Sequence, residues 1–163
     1  MGGNKLSEYE LREDEWLFST DKSRLDIDMI HRFIGGESYW APGIARELVE
    51  KAIANSLCFG CYRAGIQVGY ARVVTDFVGF AYLADVFVIR EQRGLGVGKR
   101  LMRFLFDCPH LQNLRRFMLA TRDAHGLYAG FGFRPLSDPQ RFMERFDPVA
   151  YLRQPLRDES VPG

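Results

Sequence analysis

Three glycines at alternate positions, Gly94, Gly96 and Gly98, lie where a strand-like apolar run gives way to a helix-like run. Glycine has no Cβ, so the backbone at these positions can adopt positive φ and approach a ligand closely. The first N–H groups of the helix that follows have no intrahelical partners, and together with the positive end of the helix dipole they bind phosphate groups. These residues therefore predict a pyrophosphate site.

The spacing of the glycines excludes two common nucleotide-binding motifs. The dinucleotide fingerprint requires Gly-x-Gly-x-x-Gly, whereas the glycines here are two residues apart. The Walker loop requires Gly-Lys-Ser/Thr, whereas this chain has Gly98-Lys99-Arg100. The anion predicted at the loop therefore belongs to another class of ligand.

The pattern Arg93-x-x-Gly96-x-Gly98 after an apolar strand resembles the coenzyme A pyrophosphate loop of the GNAT superfamily of N-acetyltransferases. A second segment, 127–133 with the letters Leu-Tyr-Ala-Gly-Phe-Gly-Phe, is similar to the Leu-Tyr-x-x-x-Gly-Phe segment of that family. The resemblance covers most of residues 15–146. It implies an acyltransferase that uses acetyl coenzyme A as co-substrate and an α+β fold, in which helices flank a mixed, mostly antiparallel central sheet in the order β-α-α-β-β-β-α-β-α-β.

The resemblance also assigns parts of acetyl coenzyme A to segments of this chain. The pantetheine arm would pair with backbone at the end of the strand before the loop, as an added strand does. Arg100 and Arg103 are candidates for the 3′-phosphate, or are simply solvated on an exposed helix face. The implied cofactor-binding residues are Val86, Phe87 and Val88 for the arm, Arg93, Gly94, Leu95, Gly96, Val97, Gly98 and Lys99 for the phosphates, and Thr121, where many members have an asparagine.

Acetyl transfer requires a neutral amine to attack a thioester, after which a thiolate leaves. An alkyl amine with a pKa near 10.4 is only about 0.1% neutral at pH 7.4, a deficit of roughly 4 kcal/mol that a base or a desolvating pocket would offset. Tyr128 resembles the family's general acid, which donates to the departing sulfur, or is a core aromatic. Asp85 is the best-placed carboxylate for the base, or equally satisfies a neighbouring arginine or backbone N–H, and a water chain is the alternative base. His125 is a candidate relay or a helix-start histidine bonded to solvent.

The predicted acceptor is a small-molecule amine. The resemblance implies that it enters opposite the cofactor, beside the segment between the first two helices. The loop Glu37-Ser-Tyr-Trp40 offers an acidic residue beside two aromatics, and strand ends lie near Asp76 and Asp85. Glu37 or Asp85 would hold an ammonium group, while Tyr39 and Trp40 would supply cation–π contacts or a desolvating wall. Alternatively, the two aromatics only cover the core beneath a loop. The predicted substrate-binding residues are Glu37, Tyr39, Trp40 and Asp76.

Hydrophobic periodicity and turn residues predict the elements that position these side chains. Two helices follow the first strand, a hairpin and a long strand lead into the glycine loop, and a final strand closes the order. The predicted strands lie within 8–20 and at 56–62, 66–75, 81–89, 116–121 and 141–146. The first predicted helix follows a cap at Asp26 and stops at Gly35-Gly36, and the second starts at Pro42. The third starts at Val97, and the fourth follows a cap at Asp123.

Length and composition bound the remaining possibilities. The 163 residues predict one domain over 1–146, followed by a polar extension over 147–163. A net charge of +1 gives no global attraction to nucleic acid or an anionic membrane. Three cysteines fit a reducing compartment, so a cytoplasmic protein is predicted. Cys58 and Cys61 have CxxC spacing, but on a strand they would face opposite sides, so no metal is expected.

Other functions remain open at this stage. The glycine loop reads coenzyme A and not the acyl chain, so transfer of a different acyl group is the alternative within enzymes. A catalytically silent sensor that binds coenzyme A is the alternative from another class. The sequence also leaves a homodimer open.

Overall fold

Residues 6–153 are described by the computed structural model of the chain. Residues 1–5 and 154–163, which include most of the predicted polar extension, lie outside that description. In the described part, six strands form one sheet in chain order and four α-helices flank it. The strands are β1 (Glu10–Glu13), β2 (Trp16–Ser19), β3 (Leu57–Arg63), β4 (Ile66–Thr75), β5 (Phe80–Val88) and β6 (Arg116–Leu119), and the helices are α1 (Ile27–Arg32), α2 (Arg46–Ala54), α3 (Val97–Phe106) and α4 (His125–Ala129).

Every pair of neighbouring strands is antiparallel except β5 and β6, which are parallel and joined through α3. A parallel pair requires a crossover connection, and the glycine loop with α3 provides it. The predicted α+β class with a mixed, mostly antiparallel sheet is therefore confirmed. None of the helices in residues 6–153 is long and apolar enough to cross a bilayer.

The two faces of the sheet carry two separate cores. On one face α3 buries Leu101, Phe104 and Leu105, and on the other α1 and α2 bury Ile30 and Val49. Strand side chains alternate between the two faces, and both faces are covered here. Strand β3 is therefore buried along almost its whole length. A sheet covered on both faces leaves its strand ends and edges as the places where a ligand can reach backbone.

The three cysteines belong to these cores. Cys58 packs in the core beneath α1 and α2, whereas Cys61 packs in the core beneath α3, so the predicted opposite orientation is confirmed. Burial raises the pKa of the Cys61 thiol to about 12 and also raises those of Cys58 and Cys108. Since the thiolate is the nucleophile and metal ligand, these cysteines act as small apolar core residues.

The amino-terminal half departs from the predicted boundaries in three places. Residues 8–20 form the hairpin β1–β2, which turns at Asp14 with φ +53°, and not a single strand. Asp26 caps α1 as predicted, by accepting from the Met29 N–H, but the chain continues through Gly35-Gly36 as a π-helical turn over Phe33–Glu37. Helix α2 begins at Arg46, four residues after Pro42, because the chain first turns at Gly43 with φ +74° and Ala45 is extended.

The carboxyl-terminal part departs further. The predicted strand at 141–146 is wrong: Pro139–Arg141 is a 3-10 turn and the residues after it are irregular. Strand propensity expresses packing against a half-buried surface, and Met143 and Phe146 meet none, being 98% and 74% exposed. The predicted cap at Asp123 is also wrong, because the Ala124 N–H donates to the Thr121 hydroxyl at 3.0 Å.

A bulge in β5 sets up the functional region. The register places Tyr70 opposite Phe87 but Arg72 opposite Ala84, so β5 has one residue more than β4 at this point. Asp85 takes up the irregularity with φ +52°, a conformation that costs a non-glycine residue of order 1 kcal/mol. Strain of this kind persists where surrounding contacts hold it, and it commonly marks a functional site.

Candidate active site

The glycine loop has the predicted conformation. Gly94 and Gly96 lie in the left-handed region with φ +78° and +75°, and α3 begins directly afterwards at Val97. A Cβ built on Gly94, Gly96 or Gly98 would meet no protein atom within 4 Å. The glycines therefore face open space, where backbone N–H groups of the first turn of α3 are accessible to an anion.

A cavity of about 300 Å³ lies over this loop and is called the loop groove below. Arg93 is fastened to its wall, since its Nε donates to the Val88 carbonyl at 3.0 Å. Lys99 adds a second positive charge. The loop groove is lined by Val88, Gln92, Arg93, Gly94, Gly96, Val97, Gly98, Lys99 and Leu127.

Arg100, predicted as a candidate for a phosphate, has a different position. Its guanidinium pairs with Glu13 at 2.6 Å and lies 4.8 Å from the centre of the Trp16 ring. It therefore ties α3 to the hairpin β1–β2. Arg93 and Lys99 are the basic side chains that the structure brings to the loop groove.

The outer edge of β5 is open beside this groove. Strand β6 pairs with β5 only as far as Leu83, opposite Leu119, whereas β5 continues to Val88. Within residues 6–153, no strand covers the β6-facing edge from Asp85 to Val88. Unpaired N–H and C=O groups on such an edge can bind an extended chain. Phe87 can offer only its backbone at this edge, because its ring is buried and stacks on Phe33 with ring centres 3.9 Å apart.

A second cavity, of about 530 Å³, opens where β5 and β6 part. It is called the aromatic cavity below because four tyrosines and one tryptophan lie in its wall. Residues from the α1–α2 loop, β4, β5, β6, α4 and the carboxyl-terminal segment meet here. Its lining residues are Tyr39, Trp40, Arg72, Tyr82, Leu83, Ala84, Asp85, Val86, Leu119, Ala120, Thr121, Arg122, Asp123, Ala124, Tyr128 and Tyr151.

Asp85 is the centre of a polar network in the aromatic cavity. Its Oδ2 accepts from Arg72 Nε at 2.7 Å and its Oδ1 accepts from Trp40 Nε1 at 3.0 Å. Arg72 also donates to the Ser56 hydroxyl at 3.1 Å. Burial lowers the pKa of Arg72, but the charge and hydrogen bond of Asp85, together with smaller contributions from Tyr70 and Cys58, leave that pKa raised, so the guanidinium stays charged. The network holds the bulge of β5 and the indole of Trp40 together.

Helix α4 contributes one residue to each of the two cavities. Leu127 lines the loop groove, while Tyr128 lines the aromatic cavity. The tyrosine is only 8% exposed, and burial raises the pKa of its hydroxyl. The phenol is therefore protonated at neutral pH, and in the described part of the chain no protein group bonds its oxygen.

Aromatic side chains form the mouth of the aromatic cavity. Tyr39 and Trp40 meet edge to face with ring centres 5.1 Å apart, and the Arg122 guanidinium lies 3.9 Å from the centre of the Tyr39 ring. Tyr39 is 48% exposed and Trp40 is 36% exposed. These rings do not simply cover the core; they present apolar surface to whatever enters the cavity.

Some predicted site residues lie elsewhere. Glu37 is exposed and lines neither cavity. Asp76 lies in the β4–β5 turn, where its Oδ1 accepts from the N–H groups of 78, 79 and 80, and these bonds lower its pKa. Leu95 and His125 are also exposed and outside both cavities. Thr121 lines the aromatic cavity, and its hydroxyl accepts from the Ala124 N–H just before α4.

Ten of the lining residues were not predicted as site residues from the sequence, and four of them have aromatic or basic side chains: Arg72, Tyr82, Arg122 and Tyr151. Arg72 interrupts the apolar run of β4, which is a signal that a charged partner must lie nearby. The other three carry no comparable signal, because aromatic and basic residues at strand ends and in loops are common.

Comparisons with known proteins agree with this arrangement. The sequence profile described as the acetyltransferase (GNAT) domain matches residues 54–135. A curated protein of Gibberella zeae, named as a candidate acetyltransferase, is 31% identical, with 70% of this chain and 76% of that protein aligned. The crystal structure of a candidate acetyltransferase belonging to the GNAT family from Xanthomonas campestris pv. campestris is 52% identical, covers 83% of this chain and 96% of its own, and has a TM-score of 0.81.

A more distant structure shares the fold alone. The N-acetylglutamate synthase of Neisseria gonorrhoeae, solved with coenzyme A and L-arginine, is 20% identical, with 81% of this chain and 30% of that chain aligned at a TM-score of 0.64. The architecture thus occurs both in chains of similar length and as part of a longer enzyme.

Proposed function

The chain belongs to the GNAT family of acetyltransferases, and from that premise we propose that it transfers an acetyl group from acetyl coenzyme A directly to the primary amine of a small molecule. The strongest support comes from α4, whose consecutive residues Leu127 and Tyr128 line the two cavities. A donor in the loop groove and an acceptor in the aromatic cavity would therefore meet at Tyr128.

The loop groove fits the pyrophosphate of the donor. Its glycines leave open the volume that Cβ atoms would fill, and the first N–H groups of α3 border that volume. Arg93 and Lys99 add positive charge, and the open edge of β5 offers backbone to the extended pantetheine arm. Bound acetyl coenzyme A would supply the thioester.

Tyr128 would hold the proton that the leaving sulfur needs. A buried phenol with a raised pKa is fully protonated at the pH of the cytoplasm or of an ordinary assay. Its hydroxyl has no partner in the described part of the chain, so it is available to donate. Full transfer to a thiolate is uphill, so hydrogen bonding to the departing sulfur is its main contribution.

Asp85 has two conceivable roles, and its contacts favour one of them. A general base must direct a lone pair at the amine, whereas each oxygen of Asp85 already accepts one bond, from Arg72 or from Trp40, and these bonds fix the carboxylate toward the β5 bulge. We therefore assign Asp85 the role of holding Trp40 and the β5 bulge in place. The acceptor amine would lose its proton to solvent in the aromatic cavity.

An Asp85→Asn substitution separates the two roles. The amide keeps one acceptor oxygen but turns an N–H₂ group toward the donor on the other side, so the network is partly broken. We expect the KM for the amine to rise several-fold and kcat to fall by less than about tenfold. The acidic limb of the pH profile of kcat/KM should remain, since it would belong to the amine and not to Asp85.

Trp40→Phe is the matched control for that experiment. It removes the indole N–H and leaves the carboxylate and Arg72 in place, so it should raise the same KM without a large change in kcat. A loss of about 100-fold or more in kcat for Asp85→Asn alone, together with loss of the acidic limb, would instead make Asp85 the general base.

A thiol-release screen tests the function itself. The purified chain is mixed with acetyl coenzyme A and a panel of amines, and free thiol is followed by a colorimetric reagent. We expect release that depends on the amine and that exceeds release with propionyl or succinyl coenzyme A. Tight acetyl coenzyme A binding with no amine-dependent release would make the protein a silent sensor, and a faster reaction with another acyl donor would change the group transferred.

A further inference from the structure

The carboxyl-terminal segment returns to the aromatic cavity. After α4 the chain runs along the surface, where Phe142 lies beneath the Arg116 guanidinium at 4.7 Å. It then forms a 3-10 turn over Ala150–Leu152. Tyr151, in the middle of that turn, lines the same cavity as Tyr39 and Trp40. Tyr151 thus brings this exposed segment to the wall of the aromatic cavity.

This turn has a defined structure of its own. The Asp147 carboxylate accepts from the Val149 N–H at 3.1 Å and pairs with Arg153 at 2.6 Å. The Leu152 side chain lies 3.2 Å from the position that a Cβ on Gly43 would occupy. Gly43 also has φ +74°, a conformation that favours glycine, and any larger residue there would bring its Cβ close to Leu152. The turn is thereby docked on the loop that carries Tyr39 and Trp40.

The side chains that line the aromatic cavity indicate which class of acceptor it favours. The charged side chains that line the aromatic cavity are two arginines and two aspartates, so their formal charges cancel. Arg72 pairs with Asp85 at 2.7 Å, and Arg122 lies 3.9 Å from Asp123. The cavity thus offers an acceptor no net charge. Its mouth offers three half-exposed rings, those of Tyr39, Trp40 and Tyr151.

We infer that Tyr151 is a specificity-determining residue and that the acceptor is a primary amine joined to a flat apolar group, an arylalkylamine. This inference rests on the proposed function for its reaction but on the cavity lining for its substrate class. Rings that pack edge to face or offset against Tyr151, Tyr39 and Trp40 gain contact that a linear alkyl chain lacks. The docked turn would place the Tyr151 ring without the entropy cost of ordering a loose segment.

Calorimetry on the full chain saturated with coenzyme A, which cannot donate an acetyl group, tests the inference by binding alone. The probes are 2-phenylethylamine and n-butylamine. We expect the wild type to prefer the aryl amine, Tyr151→Ala to reduce that preference about tenfold, and Tyr151→Phe to keep it. Because Tyr151 is 47% exposed, neither substitution should impair folding, and a thermal melt checks this.

The outcomes separate the inference from the proposed function. An equal preference in the wild type and Tyr151→Ala would overturn the role of Tyr151, and a wild type that binds n-butylamine as tightly as 2-phenylethylamine would overturn the substrate class. Aryl-amine binding that depends on Tyr151, with no thiol release from acetyl coenzyme A in a parallel assay, would support the inference and reject the proposed function.

Discussion

Replacing Tyr128 with phenylalanine is expected to lower kcat by about 10²- to 10⁴-fold while the Kd for acetyl coenzyme A stays within about twofold of the wild type. The substitution keeps the ring, which contacts Phe133 at a centre distance of 6.1 Å, and removes only the hydroxyl. A hydrogen bond to the departing sulfur strengthens as negative charge develops there, so its loss affects the transition state and not the bound donor. Stopped-flow or steady-state thiol release gives kcat, and calorimetry gives Kd.

The pH dependence of the wild type follows from the raised pKa of Tyr128. The hydroxyl works in its protonated form, and burial moves its pKa above the ordinary value of 10.0. Its protonated form therefore persists throughout the neutral and mildly alkaline range and is lost only above that value. We expect kcat to show no alkaline limb below about pH 9. A limb below that pH which disappears in Tyr128→Phe would contradict this assignment.

Tyr82→Phe is the control for the hydroxyl. Tyr82 lines the same aromatic cavity from β5 but is half-buried and does not belong to α4. Loss of its hydroxyl should reduce kcat by less than about tenfold. If Tyr82→Phe and Tyr128→Phe lowered kcat equally, or if Tyr128→Phe weakened donor binding with kcat intact, Tyr128 would be a binding residue and not the acid.

Replacing Gly96 with valine is expected to weaken acetyl coenzyme A binding by at least about 100-fold. At φ +75° a β-branched residue is strained by about 1–3 kcal/mol. If the loop relaxes, its N–H groups turn away from the phosphates. If it keeps its shape, the valine side chain occupies the loop groove. Each charge-assisted hydrogen bond lost to the phosphates costs about 1.5–3 kcal/mol. Calorimetry with acetyl coenzyme A measures the effect.

Two alanine substitutions distinguish backbone strain from blockage of the loop groove as the cause of weaker binding. Gly98 has no positive φ, and its Cβ would meet no protein atom within 4 Å, so Gly98→Ala should leave the melting temperature unchanged or raised while binding falls about tenfold. Gly36→Ala adds a Cβ in similarly open space but away from the loop groove, and it should leave binding unchanged. Unchanged donor affinity in a folded Gly96→Val protein would reject the coenzyme A site.

The parts of this protein that the sequence determined are those governed by local physical chemistry. Gly94 and Gly96 take positive φ because no side chain opposes it, and α3 starts after them because apolar residues then recur at helical spacing. The hairpin β3–β4 follows from two runs rich in aromatic and branched residues on either side of Ala64-Gly65, both at positive φ. The α+β fold class was predicted correctly on these grounds, whereas the family was predicted from the resemblance that the motifs at 93–98 and 127–133 carry.

Only the tertiary structure decided the composition of the aromatic cavity. Asp85 meets Arg72, 13 residues away, and Trp40, 45 residues away, because of the strand order and the bulge in β5. The same order leaves Asp76 at the far turn and brings Tyr151 back to the site from a segment read as a polar extension. Hydrophobic periodicity reports which face of an element is buried, but it does not report which distant side chains meet there, since that depends on the packing of the whole chain.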